Sequence, residues 1–419
     1  MMAWLEYIRY QFFTPSLSEQ GQLVWARQAK KPISALPQIY WKDGCGWDVA
    51  NVWSLSNAAN KPPTLKRKMK HVCRYANFLE KTGNDWHHFP VRKDEQVLRK
   101  FRKHLIDEVE DGLLAGSTAT NCMSAVIQLY RFVDAHGLLR TNGPMWTDRA
   151  VTIPYHDSAG FKRSLVRLTN DLRIPNRKRV GVTLEDGLLP LRHEHMSQLL
   201  AYMADHELEE LHQMLNTGFF SGARVGTVTT LTVSCLDTAR EDPLIPGIYL
   251  LPVGPGTDVA TKFSVAGDLV FPKAVLDDLK RYAYSARRLL REAKAQRCDK
   301  NLLFLTRRGR PYTVDTVNRL VYEMRARAVA HGLPFMQRFR FHQSRATFGT
   351  WMLELLLKSG VSSSAAIDFV RGAMLHRDEA TTLRYIKFRE VTRGKQEVAT
   401  AFSAAFAGVG SRNWDNVYA

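Results

Sequence analysis

The sequence predicts a mainly α-helical protein with a small antiparallel β-sheet. Apolar residues recur at helical spacing over long stretches after residue 61. One segment, residues 248–271, is instead rich in β-forming side chains, with glycines between its two apolar runs. A length of 419 residues, 45% of them apolar, suggests two or three domains with sizeable cores. We therefore expect a small helical domain, followed by a larger one that is mostly helical and contains the sheet.

The helical domain is predicted at residues 61–140. Residues 1–60 are rich in aromatic and turn-forming residues but weakly periodic, and form an N-terminal extension to which we assign no function. Residues 141–188 contain Gly, Pro and many charges without sustained periodicity, which is typical of an inter-domain linker with some structure of its own. Three amphipathic helices account for the helical domain. Their apolar faces are Met69, Val72, Tyr75 or Ala76, and Leu79; Val97, Phe101, Leu105 and Val109; and Cys122, Val126, Leu129, Tyr130 and Val133.

The larger domain is predicted at residues 189–419. Its sheet is expected from the apolar runs at 248–251 and 269–271, which flank Gly254-Pro255-Gly256. Helices are expected at residues 193–216, 221–231, 273–295, 313–331, 343–358, 363–374 and 378–405.

The charge of the chain favours a polyanionic partner. Lys and Arg number 59 against 41 Asp and Glu, a net charge of +18. Nucleic acid is the first candidate and a membrane surface the second. The exposed faces of the first two helices are basic, through Lys66, Arg67, Lys68 and Lys70 and through Arg99, Lys100, Arg102 and Lys103. Such faces either contact phosphate or are simply solvated.

Other compositional signals favour a cytoplasmic protein. No apolar stretch approaches the length of a membrane-spanning helix, and the N-terminus lacks the pattern of a signal peptide. The five cysteines are scattered and form no CxxC pair, so neither a disulfide framework nor a zinc ribbon is expected. We expect a protein of the reducing cytosol without a bound metal.

Three short motifs carry the chemistry. Thr217 to Arg224 joins two predicted helices through glycines, and Arg224 projects near a helix N-terminus, a place that suits an anion. His342-Gln343-Ser344-Arg345 adds a second arginine and a histidine. His376 and Tyr385 follow nine residues apart. Each motif is weak alone. The order R…HxxR…H…Y in so basic a chain nevertheless indicates an active site that attacks a phosphodiester.

In this order the sequence resembles the tyrosine recombinases, the phage-integrase family of site-specific DNA strand-exchange enzymes, over about residues 61–405. The resemblance implies a core-binding domain at 61–140 and a catalytic domain at 189–419, closing as a clamp around DNA. It also implies a C-terminal interaction helix that docks on a neighbouring protomer; packing of that helix on its own domain is the alternative. The helix carries Val398, Ala401, Phe402, Ala405 and Phe406 at helical spacing.

The resemblance also implies roles for individual residues. Arg224 and Arg345 correspond to the two arginines that grip the scissile phosphate, and His342 and His376 to the histidines beside them. Tyr385 corresponds to the nucleophile.

The family also uses a lysine on a β-hairpin after the first arginine. Lys262 and Lys273 both stand in that region. Lys262 is favoured because it lies between the two β-like runs, whereas Lys273 follows the second run at a predicted helix start.

The residue types fit this chemistry. A guanidinium stays charged and can hold two phosphate oxygens at once, so two of them counter the charge that accumulates at phosphorus. Tyrosine becomes a competent nucleophile when cations favour its phenolate, and the ester it forms stores the broken DNA bond. No cofactor is therefore expected. A partly desolvated lysine can protonate the leaving 5′ oxygen.

Three features depart from the family pattern. The segment from Arg345 to His376 spans 31 residues, several more than is usual, with residues 358–366 as the expected insertion. Thr227 stands three residues after Arg224, where the family usually has an acidic residue that steadies the arginine. Leu375 stands where a glycine generally precedes His376, so the backbone must turn there without glycine's freedom.

The sequence therefore predicts a tyrosine recombinase or integrase that cleaves and rejoins DNA through a 3′-phosphotyrosine. Its expected partners are double-stranded DNA and further copies of itself in a tetramer on DNA, with accessory DNA-bending proteins left open. We expect it with the bacterial nucleoid while bound. Two alternatives remain: a catalytically silent DNA-binding protein of the same fold, and a type IB topoisomerase-like enzyme that nicks and reseals DNA.

Overall fold

The structure, a computed structural model, separates the chain into two compact units. The units are Met1–Arg179 and Val180–Ala419. About half of the described residues are helical and their sheets are antiparallel, so the predicted fold class is confirmed. The four-part domain division predicted from the sequence stays a prediction. The described residues are 2–58, 62–141, 143–156, 162–175, 184, 188–243, 245–377, 381–385 and 387–392.

In its described residues, the N-terminal unit combines helices with three two-stranded sheets, in which β1 pairs with β4, β2 with β3 and β5 with β6. Its elements are β1 (Trp4–Tyr10), β2 (Phe13–Leu17), β3 (Leu23–Arg27), β4 (Ile33–Tyr40), α1 (Asp48–Ser56), α2 (Pro62–Thr82), α3 (Val97–Glu110), α4 (Gly116–Ala135), β5 (Asp148–His156) and β6 (Lys162–Asn170).

One apolar core holds this unit together. The predicted apolar faces of α2, α3 and α4 are buried in it, apart from Val109 at the end of α3, which is half-buried. Trp47 and Trp53, from the segment predicted as an extension, are both only 3% exposed in the same core. The Trp47 ring lies 6.1 Å from that of Tyr75 on α2. The first 60 residues therefore contribute to the core of the helices that follow them. Within the predicted linker, β5 and β6 pair as a long hairpin.

The C-terminal unit is mostly helical around a three-stranded antiparallel sheet of order β7-β8-β9. Its elements are α5 (His193–His206), α6 (Glu209–Ser221), α7 (Val225–Val228), α8 (Val233–Asp237), β7 (Arg240–Glu241), β8 (Ile248–Val253), β9 (Gly267–Pro272), α9 (Lys273–Ala283), α10 (Ala286–Glu292), α11 (Val314–Ala330), α12 (His342–Lys358) and α13 (Ser363–Ala373). None of the helices within the described residues is long and apolar enough to span a membrane.

Two helices predicted as continuous are each broken in the structure. The predicted helix at 193–216 is divided into α5 and α6, and the one at 273–295 into α9 and α10. Ser285 starts α10 by accepting a hydrogen bond from the backbone N–H of Arg288 at 3.3 Å, the usual action of a serine N-cap. Residues 381–385 and 387–392 are helical. The rest of the predicted C-terminal interaction helix lies outside the described residues.

Candidate active site

Arg224 lies between two helices, at a turn that requires glycine. Gly222 ends α6 in the left-handed conformation, with φ of 66°. A Cβ atom there would lie 2.5 Å from Cδ1 of Phe348 on α12, so the position excludes larger residues on two grounds. Arg224 follows in extended conformation and precedes α7. The close approach of α6 and α12 thus fixes the backbone from which Arg224 projects.

Arg224, Lys262 and His342 line one cavity of about 490 Å³. His342 is the first residue of α12, and Lys262 lies in the connection between β8 and β9. These three positions span more than a hundred residues of sequence, so the fold alone brings them together. Among the described residues lining this cavity there is no carboxylate. It is therefore suited to an anion.

The lysine-bearing connection is tied to the arginine turn. The backbone N–H of Ala260 donates to Oγ1 of Thr230, just after α7, at 2.9 Å. Lys262 is exposed, and its Nζ lies 5.2 Å from the centre of the Phe263 ring. Lys273, the other candidate, begins α9 and is not among the described residues that line the cavity. The geometry therefore associates Lys262 with Arg224 and His342.

Arg345 is buried and connects two turns of the site. It lies one helical turn after His342 and is only 2% exposed. Its Nη1 donates to the carbonyl of Gly222 and its Nη2 to the carbonyl of Met374, both at 2.5 Å. Gly222 lies two residues before Arg224, and Met374 two residues before His376. One guanidinium thus fixes the turns that carry the other predicted arginine and the second histidine.

His376 follows a helix end that uses leucine in place of glycine. Leu375 has φ of 51°, the left-handed value that glycine adopts easily and leucine rarely does. The N–H of His376 bonds to the carbonyl of Arg371 at 3.0 Å and that of Leu375 to Gly372 at 2.9 Å, the pairing of a Schellman motif. Gly267 on β9 makes room, since a Cβ atom there would lie 2.5 Å from Cδ2 of Leu375. A glycine on the sheet thus makes room for Leu375, which stands where the family generally has a glycine.

His376 and Tyr385 pack together away from solvent. His376 is 6% exposed, and its Nδ1 lies 2.9 Å from Oγ1 of Thr382. The rings of His376 and Tyr385 are 6.1 Å apart. Tyr385 is fully buried, in a small core with Met374 and other side chains of α12 and α13. It is not among the described residues that line the cavity of Arg224, Lys262 and His342.

The cavity also contains residues that the motifs did not indicate. Arg340 and Asn318 both line it, and Thr227, the residue at the family's usual acidic position, lies in its wall and is 5% exposed. Arg340 stands two residues before His342. A basic residue so close to the HxxR motif is a feature by which the sequence alone could have indicated it as a site residue. Asn318 lies within α11, and no sequence signal distinguishes it from other exposed residues of that helix.

Comparison with known proteins places the C-terminal unit in a family. Residues 190–390 match the profile of the Phage integrase family. Among solved structures, the integrase of transposon Tn1549 (residues 82–397) in complex with circular intermediate DNA has a TM-score of 0.48 at 14% identity, over 80% of this chain and 94% of that one.

A lambda integrase dimer bound to a COC′ core site has a TM-score of 0.48 at 15% identity, over 82% of this chain and 95% of that one. A lambda integrase tetramer bound to a Holliday junction has a TM-score of 0.45 at 15% identity, over 81% and 75%. No curated protein sequence matches this chain significantly.

Residues 190–390 therefore form a domain of the phage integrase family. The predicted family is thereby confirmed. The roles predicted for the individual site residues stay predictions.

Proposed function

We propose that this protein is a site-specific DNA recombinase that cleaves one strand through Tyr385, leaving a 3′-phosphotyrosine and a free 5′-hydroxyl. The observation that carries the proposal is the cavity in which Arg224, Lys262 and His342 meet without a carboxylate among its described lining residues. Its size and charge suit a phosphodiester. Family membership supplies the context of DNA strand exchange.

In this mechanism Arg224 holds the non-bridging oxygens of the scissile phosphate and counters their charge as the fifth oxygen approaches phosphorus. His342 donates to the same phosphate. Lys262 gives a proton to the 5′ oxygen as it leaves. Arg345 also grips the phosphate in this proposal, and its bonds to two backbone carbonyls keep the turns of Arg224 and His376 in place.

Tyr385 has to be uncovered before it can react. Its ring is fully buried here, and an attacking phenolic oxygen must approach to about 3–3.5 Å from phosphorus. We therefore propose that the helix at residues 381–385 shifts when DNA is bound. The buried position keeps the nucleophile from reacting in the absence of substrate.

The proposed substrate is double-stranded DNA held in a clamp between the helical domain and the catalytic domain. Strand exchange needs more than one active site, so we propose assembly into a tetramer on DNA, with or without accessory DNA-bending proteins. The protein would then act at the bacterial nucleoid.

Covalent trapping on DNA tests the proposal. Tyr385→Phe keeps the ring and its packing but removes the attacking oxygen, so it should bind DNA like the unmodified protein and form no covalent adduct. The measurement is denaturing gel electrophoresis of labelled DNA. Adducts formed by Tyr385→Phe would contradict the assignment.

The burial of Tyr385 also favours a second candidate, a DNA-binding protein of this fold that does not cleave. In that case neither the unmodified chain nor any variant forms an adduct on DNA that it binds selectively.

A sulfur-substituted substrate tests the role of Lys262. Lys262→Ala should cleave ordinary DNA about a hundredfold to ten-thousandfold more slowly, the usual contribution of a positioned general acid. Replacing the bridging 5′ oxygen by sulfur gives a leaving thiolate that needs no proton, so this substrate should restore the rate. Arg224→Ala should not be rescued, because its role is at the non-bridging oxygens. Rescue of Lys273→Ala in place of Lys262→Ala would show that Lys273 is the general acid.

A further inference from the structure

Helix α10 buries charged side chains and exposes apolar ones, the opposite of an ordinary surface helix. Arg288 and Arg291 are buried at 2% and 9% exposure, whereas Leu289 and Leu290 are exposed at 47% and 65%. The buried arginines have good partners. Arg288 donates from Nη2 to the carbonyl of Lys300 at 2.7 Å, and Arg291 from Nη1 to that of Leu305, also at 2.7 Å. Because these bonds fix the rotation of the helix, two large apolar side chains are held at the surface.

Leu290 borders a cavity of about 560 Å³ that combines apolar and cationic walls. Leu208, itself 42% exposed, lies on the apolar side, and Lys294 and Arg307 are exposed cations on the rim. No carboxylate occurs among the described residues that line it. A ligand for this surface, which we call the α10 pocket, therefore carries negative charge beside an apolar group.

The α10 pocket lies away from the proposed phosphate site. Leu208 precedes the first turn of α6, whereas Arg224 follows its last turn. The 13 residues of α6 cover about 20 Å at 1.5 Å per residue, so the two sites lie at opposite ends of the helix. Exposed leucines also gain little from contact with DNA phosphates. These observations favour a protein partner over DNA.

The chain itself contains a segment of matching chemistry in its N-terminal unit. At the end of α3, Asp107, Glu110 and Asp111 are exposed, and Leu113 beside them is 75% exposed. The left-handed Gly112, with φ of 73°, turns the chain between the acids and the leucine. The C-terminal end of a helix adds further negative potential. We call residues 107–113 the acidic turn.

We propose that the acidic turn of one copy docks in the α10 pocket of a second copy. Leu113 would contact Leu208 and Leu290, while Glu110 and Asp111 face Lys294 and Arg307. Each copy has one pocket and one turn, so copies join head to tail, an arrangement that closes into a ring where the rotation permits. The proposal gives a contact for the self-association that the proposed function requires.

Charge reversal with mixing tests the contact. One variant carries Lys294→Glu with Arg307→Glu, and the other Glu110→Lys with Asp111→Lys. Each alone should self-associate about tenfold to a hundredfold more weakly than the unmodified chain, since like charges then face each other. An equimolar mixture should recover association, because each altered surface meets a complementary one. The measurement is sedimentation of the full chain over a concentration series at low salt, alone and on duplex DNA.

The matched control is Arg297→Glu with Arg308→Glu, which makes the same charge change at exposed neighbours that do not line the pocket. It should self-associate like the unmodified chain. Equal weakening in the control, or no recovery on mixing, would overturn the proposal. So would an unmodified chain that stays monomeric throughout. If the pocket variant instead loses DNA affinity with unchanged association, DNA occupies the pocket. Sedimentation measures the mass of the assembly and not DNA cleavage, so the docking contact and the proposed cleavage chemistry are tested independently.

Discussion

At the scale of single residues, burial separates the two predicted arginines. Arg224 is half-buried in a cavity wall, where it can meet a ligand, whereas Arg345 is 2% exposed and bonded to two backbone carbonyls. The sequence presents both as phosphate ligands. The structure adds that Arg345 holds the site together, since buried carbonyls without partners are costly.

Arg345→Ala should therefore reduce the stability of the protein as well as its activity. Two buried carbonyls each lose a charged donor, and each loss costs about 1–3 kcal/mol, so the free energy of unfolding should fall by roughly 2–6 kcal/mol. Denaturant unfolding of the full chain measures this. Lys262→Ala, which removes an exposed cation from the cavity that Arg224 lines, is the control and should change stability by less than about 0.5 kcal/mol. Equal midpoints for the two variants would show that Arg345 has no structural role.

At the scale of secondary-structure elements, the packing of α12 places Tyr385. Gly349 on α12 faces both Met374 and the tyrosine. A Cβ atom there would lie 2.5 Å from Sδ of Met374 and 2.7 Å from Cε1 of Tyr385. A glycine in the middle of a helix lowers helix stability by about 1 kcal/mol relative to alanine. The close approach of Tyr385 explains why a glycine is tolerated at this position of the helix.

Gly349→Ala should displace the helix at residues 381–385. Overpacking costs about 1–3 kcal/mol, which exceeds the gain in helix propensity, so stability should fall and the amides around Tyr385 should exchange faster with solvent. Hydrogen exchange measures the second effect. Gly372→Ala on α13 is the matched control, because nothing lies within 4 Å of its added Cβ. That variant should be as stable as the unmodified protein or more so. Unchanged protection at 381–385 in Gly349→Ala would contradict the packing argument.

At the scale of the whole molecule, net charge governs DNA affinity. A net charge of +18 and basic faces on the helical domain indicate many phosphate contacts. Such contacts release counterions on binding, and they would act along the duplex in addition to any contact in the cavity of Arg224.

The affinity for duplex DNA should accordingly fall by about a thousandfold or more between 50 and 200 mM salt if six to ten phosphates are neutralised. Fluorescence anisotropy of labelled duplexes over a salt series measures the slope. A nearly flat response would argue against a clamp on DNA.

The sequence by itself determined the helical faces, the family and the residue types of the site. Helical spacing shows which side of α2 or α4 is apolar, and R…HxxR…H…Y names side chains whose chemistry suits a phosphodiester. Only the tertiary structure decided what those side chains face. It placed Lys262 beside Arg224, added Arg340 and Asn318 to the cavity, buried Tyr385, and took Trp47 and Trp53 into the core. The physical reason is that periodicity is a local property, whereas distances between residues far apart in sequence depend on how whole elements pack.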